Sequence, residues 1–216
     1  NIPKSKHDYV TEYFSLEQMD PDAWTFPVST KGIEGIELLH KAYGLWTDVV
    51  QQNNLGRVNG TNSSKVGQMI DDIRTNHVES SLPPVYIDID TGDIITGGHR
   101  YEASAILGIP GWMFQYVRCS NAWARKRFAK ALNNERAFAA TLNDKPEVIE
   151  HIKYGIKEGK ITCEQDIEEE AFLIAGHGCC ASPAVRATIV KEMVSFIANN
   201  GICLLYTSDA ADEKVR

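Results

Sequence analysis

The chain has 216 residues, 43% of them hydrophobic and 24% charged, with a formal net charge of −7. That is enough to bury a sizeable core, and the acidic balance argues against wholesale coating of nucleic acid, which needs clustered Lys and Arg. No apolar run is long enough to span a bilayer and no signal peptide is visible. The five Cys have no paired spacing and point to a reducing cytoplasm, so no disulfide framework is expected.

Residues 1–62 read as an approach segment. The first residue is Asn, so the natural start is expected upstream. Ile33, Ile36, Leu39, Tyr43 and Trp46 recur at helical spacing and predict a helix. A polar loop follows from Asn53 to Ser64. The sequons at Asn59 and Asn62 carry no meaning without a secretory route.

Residues 63–120 predict a small α+β core. Val66, Met69, Ile70 and Ile73 lie three and four apart, as on one face of a helix. Pro83-Pro84-Val85-Tyr86-Ile87-Asp88-Ile89 predicts a strand, Asp90-Thr91-Gly92-Asp93 a turn, and Ile94-Ile95 a second, short strand. A glycine turn, a helix through Ile106 and Leu107, and a strand around Met113 to Val117 complete the unit.

Residues 121–202 predict about four helices from their start and stop signals. Asp144 with Glu147, and Thr162 with Gln165, have the spacing of capping boxes. Ser182-Pro183 is a further helix start, with Val185, Ile189, Val190, Met193 and Ile197 on one face and Gly201 past the end. The helices from Thr162 and Ser182 also have the order of a helix-turn-helix, but Gly176 to Ala181 is longer than its usual turn of about three or four residues. His177, Cys163, Cys179 and Cys180 lack a zinc spacing, since adjacent Cys cannot both reach one ion comfortably. Packing as small hydrophobes is the better reading, and no zinc is expected. Residues 203–216, with Cys203 to Glu213 reading C-L-L-Y-T-S-D-A-A-D-E, resemble a translated sequencing-library adapter, so the natural reading frame is expected to depart near Ile202.

The chemistry is expected where the second strand hands over to a helix, at Thr96-Gly97-Gly98-His99-Arg100-Tyr101-Glu102-Ala103. Two glycines allow a sharp turn, and the first turn of a helix presents unpaired N–H donors and the positive end of its dipole, where anions bind. Arg100 offers a forked cation suited to phosphate or carboxylate, and His99 a group that titrates near neutrality. His99 and Glu102 are the candidate catalytic residues, His99 as donor or proton shuttle. The plainer alternative is a tight turn beside an exposed Arg. Further on, Arg118, Arg125, Lys126, Arg127, Lys130 and Arg136 form a basic stretch interleaved with Trp123 and Phe128. Arg125, Lys126 and Lys130 are the candidate nucleic-acid contacts, against the alternative of a solvated face paired with the acidic run Glu164 to Glu170. Asp88 and Asp93 are candidate Mg²⁺ ligands, although turn chemistry alone also explains them.

The run Gly97 to Ala103, followed by Ile106, Leu107, Gly108 and a strand, resembles the second box of the ParB N-terminal domain and the related sulfiredoxin fold. The helix from Val66 and the Pro-Pro-hydrophobic strand precede it in the family's order, over roughly residues 64–136. Asn133 and Arg136 match the Asn and Arg of a downstream box, with Leu132 in place of its Glu. The box departs at Gly98, where ParB carries Glu, and at His99, where it carries the first Arg. The reactive Cys of sulfiredoxin is absent, since His99 follows Gly98 directly. The resemblance implies a mixed sheet with helices in a cytoplasmic protein of phage or mobile-element type, in a bacterial or infected host. It further implies binding of a nucleotide such as CTP or ATP with Mg²⁺, or of a nucleic-acid phosphate. Thr96, Gly97, Gly98, His99, Arg100, Asn133 and Arg136 would line that site. Hydrolysis of a nucleotide or phosphodiester, association with DNA and a homodimer are within the family's range, as are a non-catalytic DNA-binding adaptor and an ATP-dependent small-molecule kinase.

Overall fold

The computed structural model describes residues 28–50, 61–76, 84–133, 145–175 and 183–201. Two compact units divide after Asn133. The first is mixed α+β. Its strands are β1 (Ile36–Leu45), β2 (Val85–Asp88), β3 (Ile94–Thr96) and β4 (Gly111–Cys119), and its helices α1 (Ser63–Asn76), α2 (Gly98–Leu107) and α3 (Ala122–Leu132). The strands form a four-stranded sheet in the order β1-β4-β2-β3. β4 pairs antiparallel with β1 and parallel with β2, and β2 pairs antiparallel with β3. From α1 to β4 this is the element order that the ParB resemblance implies.

β1 overturns the helix expected over Ile33 to Trp46. The register slips between Leu38 and Lys41, where a bulge breaks the alternation of the strand. Its apolar residues consequently fall at spacings that mimic a helix. Backbone pairing with β4 decides the matter, and residues placed by sequence in an approach segment supply an edge of the sheet. Beyond β1 the chain buries Trp46 against Phe114 and Trp112, with ring centroids 5.2 and 6.2 Å apart. Val50 then docks on the far strand, donating to Gly92 O at 2.8 Å while its carbonyl accepts from Ile94 N at 2.9 Å.

Both faces of the central strands are covered, which explains their nearly continuous apolar sequence. Val85 and Ile87 join Val66, Ile70, Ile73, Ala103 and Leu107 in a core beneath α1 and α2. Tyr86 and Asp88 alternate to the other face, where Tyr86 meets Phe128 of α3 edge to face at 5.5 Å. α1 starts at Asn62, whose side-chain oxygen accepts from Lys65 N at 3.1 Å. Asn121 caps α3 likewise, accepting from Ala124 N at 2.9 Å.

The second unit holds α4 (Lys145–Lys157), α5 (Glu164–Ala175) and α6 (Pro183–Asn199) among the described residues. Ile152 and Ile156, Ile167, Ala171 and Ile174, and Ile189, Met193 and Ile197 are the buried stripes of these helices at spacings of three and four. α6 begins with Pro183 as its first residue, where the missing N–H costs nothing. The buried His151 and Glu170 tie α4 to α5 at 2.7 Å. α3, expected within the helical half, falls with the sheet unit. Asp144 and Ser182 lie outside the described residues, as do Gly176 to Ala181, His177, Cys179 and Cys180. Among the described residues no helix is long and apolar enough to cross a membrane.

The start of α5 differs by one residue from the capping box read in the sequence. Asp166, not Gln165, accepts from Thr162 N at 2.7 Å, Thr162 Oγ1 at 3.0 Å and Cys163 N at 3.1 Å, while Gln165 donates to Glu169. Partial burial acts to raise the Asp166 pKa, but these donors outweigh it and hold the carboxyl below its ordinary value of 3.8. Asp166→Ala is expected to cost about 1 kcal/mol, as for loss of a cap, in chemical denaturation at neutral pH. The sign follows from the lowered folded pKa: the contribution is complete above the unfolded value and is lost as pH falls through the folded one. The stability gap between parent and Asp166→Ala is therefore expected to close below about pH 4.

Candidate functional site

The turn from β3 into α2 is built on Gly97. Its φ of 118° is closed to most side chains, and a Cβ there would lie 2.6 Å from Val85 Cγ2. Gly97 is the N-cap of α2 and has no side chain to accept from the first N–H groups, and its carbonyl takes Tyr101 N at 2.9 Å. The opening turn of α2 thus starts without a side-chain cap and with the positive end of the helix dipole beside it.

Arg100 lies in that turn but not in open solvent, with 6% of its surface exposed. Burial lowers its pKa to about 10, against the opposing pull of the nearby Tyr86, so the guanidinium remains charged at neutral pH. Burial likewise raises the Tyr86 pKa, moderated by a hydrogen bond from the Ser29 backbone and by Arg100. Tyr86 pairs through its backbone with Thr96 across β2 and β3, so the residue whose phenol acts on Arg100 sits opposite the start of the turn. Sequence reasoning read Tyr86 only as a strand residue.

His99 and Glu102, the expected catalytic residues, each make a side-chain contact with the residues that open α1. His99 Nε2 accepts from Asn62 N at 3.0 Å, which puts the proton of a neutral ring on Nδ1. Glu102 Oε1 accepts from the Thr61 hydroxyl. The first two turns of α2 therefore hold the residues that open α1 by two side chains, one helical turn apart.

The basic stretch is also redirected. Arg125 Nε stands 3.0 Å from Asp88 Oδ2, and its Nη1 bonds Asp93 Oδ2. The first contact is an ion pair without hydrogen-bond alignment, since Arg125 Nε and Asp88 Oδ2 have no hydrogen-bond partner by angle. Asp88 and Asp93 are 1% and 2% exposed, and Arg125 is 15% exposed. A guanidinium thus lies against both expected Mg²⁺ ligands, because two buried carboxylates need a compensating charge. These residues do not fit a resident cation, and among the described residues no group of three or more His, Cys, Asp or Glu is placed to hold one. Lys130, an expected nucleic-acid contact, is 1% exposed and lies in the interior, while Lys126 is half-buried. Arg118 bridges Asp90 and Glu37, each at 3.2 Å.

α3 nevertheless bears on the turn. Its Arg125 stands at Asp93, just before β3, and its Phe128 stands against Tyr86, the partner of Thr96 at the end of β3. The helix therefore runs alongside β3 toward the glycine turn, with Lys130 in its last turn and the buried Asn133 as its C-cap. Arg136 lies outside the described residues.

Together the fold and the turn define an α+β unit with a buried cation at a helix N-terminus. No family model matches the chain, and no curated protein matches it. Among solved structures it is similar to one described as the C2221 form of a Pnob8-like ParB-N domain, with 13% identity and a TM-score of 0.42. That likeness covers 78% of this chain and 65% of the other, less than two thirds of its length.

Two outcomes test this geometry. His99→Ala is expected to cost about 1 kcal/mol, the worth of one hydrogen bond, and to speed hydrogen exchange at Asn62 and Lys65. Cys119 is buried beside Asp88, and desolvation with that carboxylate pushes its thiol up to about 12. Iodoacetamide at pH 7.5 is accordingly expected to leave Cys119 unmodified in the native protein and to label it on unfolding, as read by peptide mass spectrometry.

Proposed function

We propose that the turn from Thr96 to Arg100 binds the phosphate groups of a nucleotide, with CTP or ATP the candidates, in a DNA-associated protein. The observation that carries this reading is Arg100: a guanidinium kept charged while buried in the first turn of α2, next to a glycine N-cap. A buried cation at the positive end of a helix favours an anion more strongly than either feature alone, because low dielectric strengthens the attraction. Backbone N–H groups of Gly98 and His99 would take phosphate oxygens, Arg100 would clamp charge, and Asn133 would approach from α3. The DNA-associated role rests on the resemblance of residues 97–108 to the ParB box.

Binding is favoured over turnover. A general acid or base must be within reach of the reacting group and able to exchange its proton. His99 Nε2 and Glu102 are engaged by Asn62 and Thr61 instead. A nucleotide would bring Mg²⁺ on its own phosphates, since Asp88 and Asp93 already face Arg125. For the alternative of a non-catalytic DNA-binding adaptor, two of the three candidate contacts, Arg125 and Lys130, are largely withdrawn from solvent.

Calorimetry of CTP, ATP and GTP with Mg²⁺ tests the proposal. The parent is expected to bind at least one of them, and Arg100→Lys, which keeps charge but loses the fork, to weaken Kd about tenfold, or about 1.4 kcal/mol. A folded parent that binds no nucleotide overturns the reading.

A further inference from the structure

We infer that Arg125 is a positioning residue for the phosphate site: its contacts with Asp88 and Asp93 lock the register of α3 along β3 and so fix where the end of that helix meets the Thr96–Arg100 turn. The consequence for binding rests on the reading of that turn given above, whereas the lock itself does not.

The geometry has three parts. Arg125 reaches two carboxylates on either side of the β2–β3 turn, Asp88 at the end of β2 and Asp93 just before β3. It also lies 3.4 Å from Thr91 Oγ1, whose hydroxyl donates to Asp93 Oδ2 at 2.8 Å. The turn is closed independently by backbone bonds, Asp88 N to Asp93 O at 2.9 Å and Gly92 N to Asp88 O at 2.8 Å, so it is a firm base for the guanidinium. One turn further along α3, Phe128 packs against Tyr86, which stands near Arg100 and pairs with Thr96.

Apolar packing seats α3 through the buried Ala124, Phe128, Ala129, Ala131 and Leu132, and the guanidinium adds a charged contact near the start of that seat. A guanidinium hydrogen-bonded to Asp93 and ion-paired with Asp88 keeps both buried carboxylates compensated only near one position of the helix. Displacing α3 by a residue would draw the guanidinium off both charges in a water-poor setting, where an unpaired charge is most costly. The ion pairs sit near the start of α3, and Asn133 follows its last residue, so helix stiffness carries the setting to the ligand side. A carboxylate-guanidinium cluster therefore acts at a distance on a site it does not touch.

The test compares the full chain with Arg125→Lys and with the triple variant Asp88→Asn, Asp93→Asn, Arg125→Met, which strands no charge and so keeps the sheet folded. Two readouts are taken: hydrogen exchange over Ala129–Asn133 against β4, and affinity for inorganic pyrophosphate. In the triple variant, exchange at the end of α3 is expected to rise at least tenfold with β4 unchanged, and pyrophosphate affinity to fall at least tenfold. Arg125→Lys, retaining one ion pair, is expected to fall between. Exchange at Ala129–Asn133 that stays within twofold of the parent, or that rises equally in β4, overturns the lock. Rising exchange with unchanged pyrophosphate affinity overturns the positioning role. If the parent does not bind pyrophosphate at all, the phosphate reading and the positioning role fail together, and the exchange result alone decides whether Arg125 sets the register.

Discussion

The absence of a side chain at Gly97 is the constraint on which the rest of this unit depends. At φ 118° and with Val85 where a Cβ would stand, only glycine lets β3 end and α2 begin within a single residue. That abrupt handover sets Arg100 against Tyr86 and brings His99 and Glu102 onto Asn62 and Thr61. A longer connection would carry the helix N-terminus away from the strand end, and the buried guanidinium would lose both its phenol and its place at the dipole.

Compensation of buried charge organises the second face of the sheet. Alternation in β2 sends Tyr86 and Asp88 to the side of α3, so a carboxylate is buried there along with the aromatic ring. Asp93 joins it across the turn, and α3 answers with Arg125. The same helix that supplies Phe128 to the packing thus supplies the counter-charge. This division of labour draws part of the basic stretch of an acidic protein into the fold. Two of its cations, Arg125 and Lys130, are interior parts of the fold, and Arg118 is paired with Asp90 and Glu37.

The legibility of the sequence varied with the range of the interactions concerned. α1 showed plainly, because Val66, Ile70 and Ile73 repeat at helical spacing and nothing interrupts them. The Gly-Gly turn showed because glycine doublets between an apolar strand and a helix have few other uses. β1 has the spacing of a helix because one bulge destroys its alternation, and bulges are set by the partner strand. The start of α5 differs by one residue from its sequence pattern, since Thr162 has a Gln and an Asp within reach and only the backbone path selects Asp166.

By itself, the sequence determined an α+β unit, the position of its glycine turn, and the helical character of the C-terminal region, because these rest on local backbone preference and on short hydrophobic periods. Tertiary structure decided which charged groups face solvent and which face one another. Asp88 and Asp93 are 37 and 32 residues from Arg125, and no local pattern couples them. Likewise, the partners of His99 and Glu102 are 37 and 41 residues upstream, so only the folded chain shows them as ties between helices. A side chain's chemistry is written in its type, but its role follows from the dielectric and the partners it meets, and both are properties of the packed fold.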